Sequence, residues 1–204
     1  DSVCGDQPGA DDNASAVAGL LEVARMVSGA APDIDYRIDF VAFCLEEPPF
    51  YGTQQMGSYV HANSLKNFTK DIIGMINFEM IGFSHEGNQN YPDDRLKAIY
   101  PKKANFIAVV GRHDFHAFNH QVFNLMKENA VIDVQMIDSP MVENLAGLSD
   151  QRNYWKFDIP ALMVNDTSFV RNPNYHSMAD DIGTLNFCFM KEVVNCTYHA
   201  VVGL

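Results

Sequence analysis

The chain has 204 residues, of which 47% are hydrophobic and 20% are charged. These totals are typical of a globular protein and exclude an intrinsically disordered chain. The formal net charge of −12 disfavours nucleic acid as a partner, because phosphate binding requires a basic surface. No apolar run is long enough to span a bilayer. The first residue is Asp1 rather than Met, which predicts a mature form or a fragment.

The first predicted element is a helix. It begins in the polar stretch "DDNAS", whose residue types are typical of helix N-caps. The apolar residues that follow recur at helical spacing and predict the face that packs on the core: Val17, Leu20, Leu21, Ala24 and Val27. Gly29 and Pro32 end the helix.

Strands and helices then alternate along the chain. The near-continuous apolar run "IDFVAFCL" predicts a strand buried on both faces, and residues 52–67 predict a second helix. Further strand patterns lie within four ranges: 71–83, 104–111, 131–137 and 159–166. Residues 113–129 predict another helix, and Thr184 is the predicted N-cap of a closing helix.

This alternation predicts an α/β fold, a mainly parallel sheet sandwiched between helices. With no repeat or linker visible, residues 1–204 are expected to form a single domain. In such folds, ligands bind beyond the carboxyl ends of the strands. Candidate functional residues are therefore sought where a predicted strand ends.

Glu46 and Glu47 end the first predicted strand and precede two prolines. A glutamate pair in a loop is most often simply solvated. Here the pair follows a buried strand, and adjacent carboxylates are able to divide two tasks. One binds a metal ion while the other accepts a proton from metal-bound water.

Three other places offer similar chemistry. The run Asp11, Asp12 and Asn13 exceeds what a helix cap needs. Glu79 lies in an otherwise apolar strand, where a buried charge requires a partner such as a salt bridge or a metal ion. Tyr175 and His176 lie in a polar loop, where a histidine is usually only a surface residue.

A histidine cluster offers a competing metal site. His113, His116 and His120 recur at helical spacing, but Asp114 is the only carboxylate near them in sequence. Three histidines on an amphipathic helix are more often a solvated face than a cation site.

The chain resembles the co-catalytic di-zinc aminopeptidases, a family that includes aminopeptidase Y and, more distantly, glutaminyl cyclase. The resemblance rests on five stretches in the family's order: "PGADDNASAVAGLLEVAR", "FCLEEPPFYGTQQMGS", "INFEMIG", "SDQRNYWKFDIPALMVNDT" and "RNPNYHSMADD". It implies a zinc-exopeptidase fold, a three-layer αβα arrangement.

Site roles follow from the resemblance residue by residue. It implies that Asp12 bridges two metal ions, that Glu47 and His176 bind one zinc ion, and that Glu79 binds the second. Glu46 would be the general base, and Tyr175 would stabilise the tetrahedral intermediate. The family's peptide bond after the bridging aspartate is often cis, which predicts a cis bond between Asp12 and Asn13.

The chain departs from the family's pattern at two places. The family's His-x-Asp motif aligns its aspartate, which orients the zinc-binding histidine, with Asp1, so the histidine and the initial strands would precede this sequence. Gln151 stands where relatives often have histidine. We therefore expect this chain to bind one zinc ion better than two.

The resemblance implies a metallo-exopeptidase that removes N-terminal residues from peptides with a free N-terminus. Because many relatives are exported, a secreted or periplasmic location is expected. Two alternatives stay open: a one-zinc glutaminyl cyclase, and a non-catalytic binding protein of the same fold.

Overall fold

The computed structural model describes residues 7–204, except for the side chains of residues 141 and 143. Over these residues the strands are β1 (Met75–Glu79), β2 (Phe106–Gly111), β3 (Asp133–Ile137) and β4 (Ala161–Asn165). The α-helices are α1 (Ala16–Ala30), α2 (Gly57–Ser64), α3 (Asp94–Lys97), α4 (His116–Asn129), α5 (Glu143–Ala146), α6 (Gln151–Trp155) and α7 (Phe187–Gly203).

The four strands form one mixed sheet in the order β1-β4-β2-β3. β1 is parallel to β4, and β2 is parallel to β3. The central pair, β2 and β4, is antiparallel. The carboxyl ends of β1 and β4 therefore lie at one edge of the sheet, and those of β2 and β3 lie at the opposite edge.

Helices cover both faces of the sheet, and β2 illustrates why. All six of its residues are buried, and successive side chains point to opposite faces. Ile107 and Val109 pack in a cluster with residues of α1, α4 and α7. Phe106, Ala108 and Val110 belong to a second cluster, with residues of α2, α5 and α6. The predicted three-layer α/β fold is confirmed.

The strand predicted from "IDFVAFCL" is wrong. Residues 38–45 have no regular secondary structure, and several of them, including Ala42 and Cys44, are exposed. A groove of about 640 Å³ lies between this segment and β1 and is lined by residues of both. An apolar run becomes a strand only when a neighbour supplies ladder hydrogen bonds, and no described strand adjoins this segment.

The predicted apolar face of the first helix is only partly confirmed: Val27 packs against the core, and Leu20 and Ala24 are half-buried. Val17 and Leu21 are 41% and 65% exposed, whereas Ala16, Gly19 and Val23 are buried. Small residues let α1 lie close to its neighbours: a Cβ atom at Gly19 would come within 2.6 Å of the Ile81 side chain.

The predicted N-cap of the closing helix is two residues too early. Thr184 ends a short 3₁₀ turn, and the side chain of Asn186 instead accepts a hydrogen bond from the Phe189 N–H. α2 is shorter than the helix predicted over residues 52–67. Within residues 7–204, no helix has both the length and the apolar character that crossing a bilayer requires.

Candidate metal centre

A cavity of about 370 Å³ opens at the edge of the sheet where β1 and β4 end. Its wall includes six of the seven predicted site residues: Asp12, Glu46, Glu47, Glu79, Tyr175 and His176. The seventh, Asp1, lies outside the described residues. Segments that are far apart in sequence thus supply one site.

Asp12, Glu47 and His176 form the centre of this cavity. Nε2 of His176 lies 3.1 Å from Oδ2 of Asp12 and 3.0 Å from Oε1 of Glu47. One ligand atom from each residue lies within 4.8 Å of the other two. Both carboxylates are buried.

The chemistry of these three residues fits a zinc ion. Carboxylate oxygen and imidazole nitrogen are zinc ligands, and three protein ligands leave a coordination position for water or substrate. Oδ2 of Asp12 is buried and, apart from its ion-pair contact with His176, has no hydrogen-bond partner among the described residues. Burial and the neighbouring charge of Glu47 raise the pKa of Asp12 to about 7. A divalent cation would give this oxygen atom a partner and would lower the raised pKa of Asp12.

The backbone around Asp12 is held by neighbouring polar groups. Asp12 and Asn13 break the helical geometry, and the peptide bond between them is cis, as predicted. The carboxylate of Asp180 accepts hydrogen bonds from the N–H groups of Asp11 and Asp12 at 3.0 and 3.1 Å. The Asn13 side chain accepts a hydrogen bond from the Met80 N–H at 2.9 Å, which connects this kink to the end of β1.

The Asp11 side chain supports the site rather than lining its cavity. It accepts hydrogen bonds from the Gly82 N–H at 2.8 Å and from the Asn172 amide at 2.7 Å. Burial raises its pKa. Of the two adjacent aspartates, Asp11 therefore joins the first helix to residues after β1, and Asp12 faces the cavity.

Glu46 is buried beside the three-residue centre. Burial, reinforced by the charges of Asp150 and Glu47, raises the pKa of Glu46 to about 8. A carboxyl group whose pKa lies near neutrality is suited to exchange protons with a reactant. The adjacent Glu47 points one carboxylate oxygen at His176, so the two glutamates occupy different positions in the cavity.

Glu79 lines the cavity but is not one of the three residues of the centre. Its carboxylate accepts a hydrogen bond of 2.5 Å from the Ser149 hydroxyl. Burial and the charge of Glu46 raise its pKa well above the ordinary value. The Ser149 hydroxyl in turn accepts a hydrogen bond from Asn77, so a chain of polar groups fixes Glu79.

The sequence predicted no role for Ser149, Asp150 or Asp180, although all three lie in the stretches that carry the family resemblance. Their contacts join segments far apart in sequence, and no local pattern signals them. Gln151, at the position where relatives often have histidine, is buried and donates to the Ala146 carbonyl oxygen at 2.6 Å.

Tyr175 packs flat on the imidazole of His176. The ring centroids are 3.7 Å apart, and the planes are inclined by only 16°. Burial, followed by the charge of Asp12, raises the pKa of the Tyr175 phenol well above its usual value. Its hydroxyl therefore stays protonated at neutral pH, which keeps it a hydrogen-bond donor.

Comparison with known proteins agrees with this geometry. The family model described as Peptidase family M28 matches residues 1–201. Uncharacterized protein YfbL of Escherichia coli is 43% identical over 191 residues, which cover 92% of this chain and 57% of YfbL. The chain thus spans little more than half of this relative.

Two further comparisons concern named peptidases. A probable leucine aminopeptidase of Arthroderma benhamiae is 26% identical over 211 residues, which cover all of this chain and 48% of the relative. The crystal structure of a zinc aminopeptidase from Bacillus subtilis superposes with a TM-score of 0.73 at 21% identity, covering 100% of this chain and 44% of that one. At that identity the structural likeness shows a shared fold.

Proposed function

Because the chain belongs to peptidase family M28, we propose that it is the catalytic part of a zinc-dependent aminopeptidase. One observation carries the proposal: Asp12, Glu47 and His176 converge within 4.8 Å beside the buried Glu46. A metal-binding centre with a proton-accepting carboxylate is what hydrolysis by metal-activated water requires.

Asp12, Glu47 and His176 would hold the zinc ion. When bound, zinc polarises the scissile carbonyl and lowers the pKa of a bound water molecule. Among residues 7–204, Glu79 and Asp12 would offer two carboxylates to a second ion. We therefore propose that this chain holds one zinc ion more tightly than a second. Metal analysis should show that wild type holds one zinc equivalent more than His176→Ala, and a difference of two equivalents would contradict this stoichiometry.

Glu46 would accept the proton of the attacking water and deliver it to the leaving amine. Burial and neighbouring carboxylates raise the pKa of Glu46 to about 8, and the positive charge of a bound ion would lower it, so that the carboxylate would be ionised and able to accept the proton. Tyr175 would donate a hydrogen bond to the oxyanion, an interaction often worth a few kcal/mol. The surplus of carboxylates in the cavity wall, Glu79 among them, favours a substrate whose N-terminal amine is protonated, which supports exopeptidase action.

The rest of the cavity wall supports a preference for a bulky apolar N-terminal residue. Away from the carboxylates the wall is mainly apolar and aromatic, with contributions from Tyr51, Leu145, Leu148, Met163 and Phe169. A volume of about 370 Å³ is large enough for a leucine, methionine or phenylalanine side chain. Burying such a side chain contributes about 1.5–3 kcal/mol to binding.

The test is a panel of dipeptides with free and acetylated N-termini, assayed before and after zinc is removed by a chelator. Cleavage is expected for free Leu and Phe, with activity lost on chelation and restored by zinc. Cleavage of the acetylated peptides would contradict exopeptidase specificity. A glutaminyl peptide in the same panel would reveal pyroglutamate formation, and no turnover of any substrate would favour a binding protein.

The location proposed from family resemblance is secreted or periplasmic. Cell fractionation of the natural host, followed by detection with an antibody to this chain, tests that proposal. Recovery with cytoplasmic markers would contradict it.

A further inference from the structure

A second cluster of metal-binding side chains lies at the edge of the sheet where β2 and β3 end. His113 and His116 follow β2, and Asp138 directly follows β3. The parallel register pairs Val110 with Ile137, so the segments after both strands leave the sheet side by side. Because β2 runs antiparallel to β4, this edge is the one away from Glu79.

The geometry of this cluster resembles that of a ligand set. Nδ1 of His116 lies 2.6 Å from Oδ2 of Asp138, and the ring centroids of His113 and His116 are 5.4 Å apart. One ligand atom from each of the three residues lies within 4.8 Å of the other two. The His120 ring packs 4.0 Å from that of His116 and restricts its rotation.

Asp138 supplies a carboxylate to the histidine cluster, although it is distant from the three histidines in sequence. Asp114, the nearest carboxylate in sequence, is paired with Arg112. Asp138 comes from a different strand, and its side chain is only 14% exposed, against 52% for His116. A partly buried carboxylate that orients an accessible imidazole differs from an ordinary solvated histidine face.

We propose that His113, His116 and Asp138 form a surface site for a divalent transition-metal ion of the zinc class. Two imidazoles and one carboxylate suit zinc, copper or nickel, whereas calcium and magnesium prefer oxygen ligands. Water would complete the coordination shell at this exposed position. The bound ion would join the first turn of α4 to the end of β3 and so stabilise this edge of the sheet.

The test compares zinc binding by the wild-type chain with that of His116→Ala at about pH 8, because imidazole binds metal only when deprotonated. His85→Ala is the matched control, since His85 is exposed on a different loop. Wild type and His85→Ala should bind one more zinc ion per chain than His116→Ala, or bind it at least tenfold more tightly. Equal stoichiometry and affinity in all three proteins would overturn the proposal.

Two further measurements separate this site from the catalytic centre and from misfolding. His113→Ala and Asp138→Asn should reproduce the loss, while circular dichroism confirms that each variant is folded. His176→Ala should keep the surface site, seen as zinc-dependent NMR shifts of the His113 and His116 ring protons. Absence of those shifts would overturn the proposal, whether or not the protein is an aminopeptidase. Calcium at the same concentration should cause no such shifts.

Discussion

Nε2 of His176 lies 3.0 Å from Oε1 of Glu47, although 129 positions separate the two residues in sequence. Glu47 follows segment 38–45, and His176 lies in the loop between β4 and α7. Their side chains meet beside Asp12. The hydrogen bond that Asp180 accepts from the Asp12 N–H and the stacking of Tyr175 on His176 help to hold these ligand side chains in place.

Replacing Glu46 with Gln should separate proton transfer from metal binding. The amide occupies nearly the same volume but accepts no proton, so turnover should fall about 10²–10⁴-fold while the bound zinc is retained. Peptide hydrolysis and metal analysis of the same sample provide the check. Glu22→Gln, on the exposed face of α1, is the matched control and should leave both unchanged. Substantial activity in Glu46→Gln would show that another group accepts the proton.

Asp180 should control metal affinity without binding metal. Its carboxylate accepts the N–H groups of Asp11 and Asp12, and Asp180→Ala leaves these buried donors unpaired. Loss of such a supporting contact typically weakens metal binding about 10–100-fold. The dissociation constant for zinc, measured by competition with a chelator, provides the readout.

The neighbouring residue offers a matched control for that experiment. Asp181 is exposed and accepts only local hydrogen bonds, including one from the Gly183 N–H. Asp181→Ala should bind zinc like the wild type. Equal affinity in Asp180→Ala and Asp181→Ala would mean that Asp12 is positioned without help from Asp180.

The sequence was sufficient to predict the residues that meet in the cavity. Asp12, Glu47 and His176 were identified by the family resemblance, because each stands at a ligand position in a stretch that matches the family. It was not sufficient to predict which groups position them. The contacts of Asp180 and Ser149 depend on tertiary structure, and no spacing rule signals a hydrogen bond between residues some 70 or 170 positions apart.

The fold was predictable to a similar extent. β2 and β4 are buried along their whole length, and their apolar runs predicted them correctly. Residues 38–45 have an equally apolar sequence, yet they form no strand in the described chain because a ladder also requires a neighbour. The antiparallel pairing of β2 with β4 was likewise not predictable from the apolar pattern, since the direction of a strand depends on how the chain crosses the sheet.

Asp150 should make the stability of the metal-free protein depend on pH. Burial raises the pKa of Asp150 to about 6. Since this exceeds the unfolded value of about 3.9, the folded state binds more protons between those limits. The protonated carboxyl stabilises the fold fully below about pH 4, and this contribution is lost as the pH rises through about 6.

Asp150→Asn tests that dependence, because the neutral amide cannot ionise. The variant should match the wild type near pH 4 and exceed its free energy of unfolding by up to roughly 3 kcal/mol at pH 8. Urea denaturation of chelator-treated protein at several pH values measures the difference. Asp33→Asn, at an exposed position, should show no such trend. A constant difference across the pH range would exclude Asp150 as its source.

The corrected face of α1 can be tested with two substitutions on the same helix. Val23 is 2% exposed and packs in the cluster with α4 and α7, whereas Leu21 is 65% exposed. Val23→Ala removes buried methyl groups and leaves a cavity, so it should lower the free energy of unfolding by about 2 kcal/mol. Leu21→Ala should change it by no more than about 0.5 kcal/mol, because a surface substitution loses few contacts. Denaturation of both variants shows which of the two residues contributes to the core. The periodicity of the large apolar residues alone predicts that Leu21 is buried. A larger loss of unfolding free energy for Leu21→Ala than for Val23→Ala would therefore support the face predicted from the sequence.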